Sequence, residues 1–302
     1  MIKKLKLILF IVFFVYQTFA HSKTVDSNDF NPKYLSGYLS AIISQNNLNS
    51  NAAVKYFNSS KILMNKHQEF LKEYAITLTI DGRVQKSINI IKQNSDQNNS
   101  NFFEAKLLLL IDNFKKKKFD QNIELLNEFK EYRDYDNYQY IIYEVLKSYN
   151  DLFLTKEINQ NKEKKFGNLS LINEAFQYCY LDQPEASTKF ISIINSNEGD
   201  YSRYLFFYLN TLIKKKDYNS ANQISKSINI LDSNLLIQQS KQWIDNSNYN
   251  KFEEFFSCNN EGDILAEFFF LISNFYVADN NVKKSNFYSN ISNYLNPKFY
   301  FN

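Results

Sequence analysis

Residues 266–297 decide the fold class, and they read AEFFFLISNFYVADNNVKKSNFYSNISNYLNP. An apolar stretch from Ala266 to Tyr276 is followed by a polar break at residues 278–281, and a second amphipathic stretch runs from Lys284 to Ser292. Apolar residues at helical spacing on both sides of a short break are typical of two helices joined by a turn. The segment therefore predicts a pair of antiparallel helices.

The same layout recurs along the chain, each time with a small or polar residue at the head of the second helix. In chain order these markers are Ala53, Ser87, Asn122, Ala186, Ala221 and Ser285. Their spacings are 34, 35, 64, 35 and 64 residues, and each spacing of 64 accommodates one degenerate copy, near Thr155 and near Glu253. Since a fixed period of this size is typical of repeat proteins, we expect about eight repeated helix pairs.

Composition also favours an all-α fold. Hydrophobic residues make up 44% of the 302 residues, which is enough for a core and too much for a disordered chain. The chain contains 5 Gly and 3 Pro, where average usage would give about 21 and 15. Sandwiches, barrels and dinucleotide-binding folds need more turn residues and are therefore not expected.

The first twenty residues, MIKKLKLILFIVFFVYQTFA, have the pattern of a secretory signal peptide. Three lysines precede an apolar run from Leu7 to Tyr16, and Thr18-Phe19-Ala20 offers a cleavage site. We expect a signal peptide at residues 1–20, a short linker at 21–33 and a repeat domain at 34–302, located in the periplasm. The alternative is an uncleaved inner-membrane anchor with the domain facing the periplasm, although the apolar stretch is shorter than the roughly 20 residues of a span.

Charge argues against a nucleic-acid partner. Lys and Arg number 35 against 32 Asp and Glu, which gives a net charge of +3. Cleavage after residue 20 removes three lysines and leaves a formally neutral chain. Nucleic acids and anionic membrane surfaces are bound through collective positive charge. Neither is expected as a partner, and no membrane span is expected after cleavage.

No motif in the sequence points to catalysis. The histidines are His21 and His67 alone, and Gly-rich phosphate-binding loops are absent. We therefore expect no enzymatic activity, no cofactor and no metal site. Cys179 and Cys258 are 79 residues apart in the sequence, and in a helical stack this separation places them several helices apart. A disulfide needs Cα atoms within about 7 Å, so both cysteines are expected to be buried and unpaired.

The residue pattern within the units resembles the tetratricopeptide repeat. In the last unit, large apolar residues, small residues and a closing proline fall at Phe269, Ile272, Tyr276, Ser273, Ser285, Ser292 and Pro297. In the second unit, the matching residues are Leu71, Tyr74, Leu78, Ile91, Ala75, Ser87 and Gly82. From about residue 34 to the end, the chain is similar to exported tetratricopeptide repeat proteins of alphaproteobacteria. Two other readings are an RNA-binding pentatricopeptide array, which the export signal and the neutral charge disfavour, and an irregular helical domain.

The resemblance implies a right-handed superhelical solenoid of about eight antiparallel helix pairs with a concave groove. First-helix positions that face the groove in the family correspond here to Tyr38, Lys72, Arg203, Phe206, Asn210, Phe270 and Asn274. Aromatic and amide side chains suit an extended peptide. The expected function is a non-enzymatic periplasmic scaffold that binds a protein or an extended peptide. The alternative is a glycan-binding accessory protein of the cell wall or of envelope assembly.

The last residues bear on partners as well. Pro297 is followed by KFYFN, which opens a further first helix without a capping helix. Solenoids normally end with a polar cap. The sequence is therefore expected to be a fragment of a longer array, or to make an end-to-end contact with another chain at this uncapped repeat.

Overall fold

The computed structural model describes residues 31–95, 100–129, 137–158, 166–196 and 202–298. Within these ranges the chain forms fifteen α-helices and one short 3-10 helix, Lys61–Asn65, and no strand. The predicted all-α class is therefore confirmed. The predicted signal peptide, residues 1–20, and nearly all of the predicted linker lie outside the described residues. Within those ranges, no helix has both the length and the hydrophobicity needed to cross a membrane.

The helices are numbered here in chain order. They are α1 (Pro32–Asn46), α2 (Ser50–Ser59), α3 (Phe70–Ile80), α4 (Val84–Gln93), α5 (Phe103–Lys115), α6 (Gln121–Phe129), α7 (Asn137–Thr155), α8 (Asn168–Tyr180), α9 (Glu185–Ile194), α10 (Tyr204–Lys214), α11 (Tyr218–Ser227), α12 (Leu235–Asp245), α13 (Asn250–Phe255), α14 (Glu261–Ala278) and α15 (Val282–Leu295).

Consecutive helices pack against each other along the chain, both within and between the pairs that the sequence markers predict. The most extensive contacts join α14 with α15, α1 with α2, and α8 with α9; α3 with α4 follows, and α9 packs on α10 of the next pair to the same extent. All six markers lie near the start of a second helix and are at most 7% exposed. Two markers show why these positions are small: Ser87 Oγ donates to the Ala75 carbonyl at 2.8 Å, and the Ser285 carbonyl accepts from Ser273 Oγ at 2.9 Å. A larger side chain would hold the two helices apart.

The turn after each first helix contains one residue in the left-handed backbone region. In chain order these are Leu48, Gly82, Lys117, Lys156, Asp182, Lys216, Ser247 and Asn280, with φ between 56° and 76°. At most of these turns a backbone bond closes the helix, for example from the Arg83 N–H to the Leu78 carbonyl at 2.8 Å. Seven of the eight residues are not glycine, so this turn forms repeatedly in a chain with few glycines.

The two degenerate copies, predicted near Thr155 and near Glu253, differ in how well they agree with the helices of the structure. Glu253 lies in α13, the short second helix of the pair that α12 begins. Thr155, by contrast, is the last residue of α7, and residues 159–165 that follow lie outside the described part of the chain. The spacing of the left-handed residues is irregular at this place, with 39 residues from Lys117 to Lys156 and 26 from Lys156 to Asp182.

The last pair packs against the second and third pairs. Helix α15 contacts α3, α4 and α5, and α14 contacts α5. Asn290 Nδ2 donates to the Ile80 carbonyl at 2.9 Å, and Tyr294 O–H donates to Gln85 Oε1 at 2.7 Å. The Lys115 ammonium also bonds to the Tyr294 carbonyl. The chain therefore returns on itself, and helices of the same chain contact the last repeat, for which the sequence predicts an uncapped end.

A disulfide joins Cys179 to Cys258, with their Cα atoms 5.6 Å apart. The expectation of unpaired cysteines is wrong. That expectation requires residues that are far apart in sequence to be far apart in space, as they are in a straight stack of helices. In the structure, the turn before α14 lies against the last turn of α8. The same return that brings α15 to α3 also brings Cys258 to Cys179.

Candidate functional site

The seven residues predicted for the groove occupy different surroundings. Tyr38 is buried among rings, with its ring centroid 4.6 Å from that of His67 and 5.7 Å from that of Phe70. Burial raises the pKa of the Tyr38 phenol. Lys72 is partly exposed on α3 and forms an ion pair with Glu69 at 3.5 Å. Tyr38 is thus a core residue, and Lys72 is part of a surface charge pair.

Arg203 and Phe270 are brought together by α10 and α14. The Arg203 guanidinium lies 4.1 Å from the centroid of the Phe270 ring. Its Nε donates to Glu267 Oε1 at 2.9 Å and its Nη2 donates to Glu267 Oε2 at 2.8 Å. Because Glu267 is fully buried, this bidentate pair supplies the hydrogen bonds that a buried carboxylate requires.

Phe270, Asn274 and Val277 follow one another along one face of α14, and we call them the α14 strip. Phe270 is partly exposed, Asn274 is exposed and Val277 is 58% exposed. Their spacing of four and three residues places them on the same side of the helix. The α14 strip, with Arg203 beside it, is where predicted groove residues lie together at the surface.

Phe206 and Asn210 lie in the core, which differs from the prediction of an open groove. Phe206 is fully buried, and its ring stacks on Phe252 with centroids 5.5 Å apart. Asn210 Nδ2 donates to the Phe256 carbonyl at 2.8 Å. Helix α13 and the turn after it cover this face of α10, so these side chains hold the fold together.

Buried acids that carry no motif in the sequence tie α14 to its neighbours. Glu261 accepts a hydrogen bond from Tyr180 O–H at 2.9 Å and pairs with Lys117 at 2.9 Å. Burial opposes ionisation of Glu261, but the hydrogen bonds from Lys117, from the backbone and from Tyr180, together with the Lys117 charge, outweigh burial and lower the pKa of Glu261. Burial and the adjacent Glu261 carboxylate raise the pKa of Tyr180. Acidic residues within the apolar run EGDILAEFFF are the signal that could have indicated buried pairs.

A second set of buried charges holds α5. Asp112 is fully buried and is paired with Lys116 at 2.7 Å and with Lys92. Burial opposes its ionisation, but hydrogen bonds from Lys116 and Lys92 outweigh it and lower the pKa of Asp112. These carboxylates are held by cations and serve the fold. Among the described residues, no group of three or more His, Cys, Asp or Glu side chains is arranged to hold a metal ion.

A cleft of about 290 Å³ lies beside the disulfide, and we call it the disulfide cleft. The ends of α10, α11 and α13 surround it, and its lining includes Cys179, Cys258, Asn210, Thr211, Tyr218 and Tyr249. The two tyrosine rings stack with centroids 4.3 Å apart. Lys214, which also lines the cleft, pairs with Asp182 at 2.9 Å. The cleft combines aromatic surface with amide, hydroxyl and charged groups.

Comparison of the chain with protein-family models, with curated proteins and with solved structures gave no match.

Proposed function

We propose that the protein is a non-enzymatic scaffold of the periplasm that binds a protein or an extended peptide on the concave side of a tetratricopeptide-like solenoid of eight helix pairs. Eight left-handed turns, one after each first helix, support the repeat reading. The signal-like residues 1–20 support export. The observation that carries the proposal is the α14 strip, which exposes apolar and amide side chains at the positions expected to contact a ligand.

The α14 strip has the chemistry that an extended peptide needs. The Asn274 amide can donate to and accept from a peptide backbone, and Val277 and the Phe270 ring supply apolar area. The Arg203 guanidinium lies beside the strip, where Glu267 holds it. An extended peptide with apolar side chains is the ligand whose chemistry complements the α14 strip.

Selection from a random peptide library against the mature chain tests this function. We expect enriched peptides to lose at least about tenfold in affinity, or about 1.4 kcal/mol, for the double variant Asn274→Ala, Val277→Ser. The matched control is Leu231→Ser, which also removes an exposed apolar side chain, 92% exposed, outside the strip. Equal binding by both variants, or no enriched peptide at all, would contradict the proposal.

Cell fractionation tests the proposed location separately. We expect the mature chain to begin at His21 and to appear in the periplasmic fraction. An unprocessed chain in the membrane fraction would instead support the inner-membrane anchor.

A second candidate function, glycan binding, is favoured by the tyrosine pair in the disulfide cleft. Tyr218 is 36% exposed, and Asn250 and Glu253 line the same cleft. A ring face next to amide and carboxylate groups suits a sugar ring, which has apolar C–H faces and hydroxyl edges. Calorimetric titration with soluble cell-wall oligosaccharides checks this candidate. Binding that Tyr218→Ala abolishes would favour it, and no heat at millimolar sugar would exclude it.

A further inference from the structure

The position of the disulfide sets it apart from a fully enclosed cross-link. Cys179 lies in the last turn of α8, and Cys258 lies in the turn between α13 and α14. Both line the disulfide cleft, and they are 5% and 6% exposed. At about 30 Å³ for each water molecule, a cleft of about 290 Å³ has room for a small thiol.

We propose that the Cys179–Cys258 disulfide is a redox-active site of the folded protein, which exchanges with small thiols that enter the disulfide cleft. A thiolate attacks one of the two sulfurs, the S–S bond breaks, and the other cysteine leaves as a thiolate that takes a proton from water. A second thiol then attacks the mixed disulfide and releases the remaining cysteine. The two electrons come from the thiols, which become a disulfide.

Positive charges that line the disulfide cleft favour a thiolate, which is the attacking species in the exchange. Lys214 and Lys216 line the cleft, together with one carboxylate, Glu253. Asp182 pairs with Lys214 at 2.9 Å. The attacking species is a thiolate, and nearby ammonium groups stabilise thiolates. An anionic thiol therefore gains from the Lys216 charge.

The elements joined by the disulfide remain in contact through other bonds. Tyr180, next to Cys179, donates to Glu261, which lies three residues after Cys258, at 2.9 Å. Lys117 holds the same carboxylate at 2.9 Å. The turn before α14 therefore keeps its place near α8 when the S–S bond opens. We expect the reduced chain to keep its helices and to reoxidise to the same pairing.

The order of the reaction in reductant tests the proposal. The mature chain is incubated with dithiothreitol over a hundredfold range of concentration, quenched with an alkylating agent and weighed by mass spectrometry. We expect the reduction rate to rise in proportion to dithiothreitol, with the helical circular dichroism unchanged. A rate that reaches a plateau equal to the unfolding rate would overturn the proposal, because reduction would then require unfolding.

A pair of variants tests the route through the cleft. Asn250 is exposed and lines the cleft, whereas Asn248 is exposed and lies two residues away outside its lining. We expect Asn250→Trp to slow reduction several-fold and Asn248→Trp to leave it unchanged. If the two variants are reduced equally fast, the thiol does not enter through the cleft and the proposal fails.

The Lys216 charge is tested with an anionic thiol, mercaptoethanesulfonate. We expect Lys216→Gln to lower its rate about twofold at low salt. Lys215→Gln, the adjacent substitution outside the lining, should have no effect. An equal loss in both variants would show that Lys216 has no special place in the exchange.

Discussion

Arg203 and Glu267 form a bidentate ion pair although 64 residues separate them along the chain. They hold equivalent places in their units, because each lies thirteen residues before the left-handed residue of its turn, Lys216 and Asn280 respectively. Arg203 and Glu267 therefore occupy the same repeat position in two units that have one further unit between them in the sequence, and the two side chains are in contact. A straight stack would hold these positions apart, so the chain curves sharply between α10 and α14.

The ion pair gives the first prediction. Arg203→Met should lower the free energy of unfolding by about 3–5 kcal/mol, because it leaves the buried Glu267 carboxylate without a partner. The double variant Arg203→Met, Glu267→Gln should recover part of that loss. Urea denaturation measures both. The control Arg83→Met removes an exposed partner of Asp81 at 2.7 Å and should cost about 1 kcal/mol or less. Equal losses for Arg203→Met and Arg83→Met would contradict the buried pair.

Removal of the disulfide should cost stability even though we expect the reduced chain to stay folded. The bridge joins residues 79 apart in sequence, for which the chain-entropy relation gives roughly 4.5 kcal/mol. The double variant Cys179→Ala, Cys258→Ala should therefore unfold at a lower urea concentration than the oxidised chain. Reduced wild type, alkylated at both thiols, serves as a check and should lose a similar amount. An unchanged urea midpoint would show that the bridge contributes nothing.

The left-handed turns predict an unusual effect of glycine. Leu48 has a φ of 58° and is exposed, so Leu48→Gly should raise the free energy of unfolding by about 0.5–1 kcal/mol as the backbone strain is relieved. Leu48→Ala is the control, because it removes the same apolar side chain and keeps the strain. Gly82→Ala should lower stability by about 1 kcal/mol. An added Cβ there meets no atom closer than 3.6 Å, so the cost comes from the backbone alone. Thermal unfolding of Leu48→Gly, Leu48→Ala and Gly82→Ala measures the effect of backbone strain at these turns on stability.

Asp263 should make stability depend on pH. Burial raises its pKa to about 6, above the ordinary 3.8, and its carboxylate accepts from the Ser257 N–H at 2.8 Å. The folded chain therefore binds the proton more tightly than the unfolded chain, and this contribution to stability falls as pH rises from about 4 to about 6. Asp263→Asn should remove that fall and stabilise the chain at neutral pH by about 1–2 kcal/mol.

Urea unfolding of wild type and Asp263→Asn between pH 4 and pH 8 measures this difference. Comparison of the two chains isolates the group, because Asp112 and Glu261 have lowered pKa values and act in the opposite direction as pH falls. Parallel pH profiles for the two chains would rule out a raised pKa at Asp263.

Local pattern is sufficient to predict an all-helical chain. Markers such as Ala53 and Ser87 report the close crossing of two neighbouring helices, and that requirement acts within one unit. The angle between units is different, because it depends on the contacts of many side chains across neighbouring pairs. Small changes in that angle add up along the chain. The spacing of the left-handed residues is irregular around Lys156. A repeat pattern is least able to predict the stacking of neighbouring pairs at this place.

The same limit explains the errors at the candidate site. In a regular array, no later element covers the groove position that corresponds to Phe206. Here α13 is only six residues long, and the turn after it brings Phe256 back over α10. Separation along the chain is no guide to the distance between the cysteines, because residues far apart in sequence meet once the array curves. The burial of Phe206 and the pairing of the two cysteines both depend on contacts between distant units. The sequence of a single repeat therefore does not predict either of them.

The hydrogen bond between Asn290 and Ile80 spans 210 residues, which has a consequence for how the protein is made. At roughly 5–20 residues per second, a ribosome adds those residues in roughly 10–40 seconds. Until α15 is made, the surface of α3 that it will cover stays open to water. We expect a holding chaperone to be needed until synthesis reaches the final hairpin.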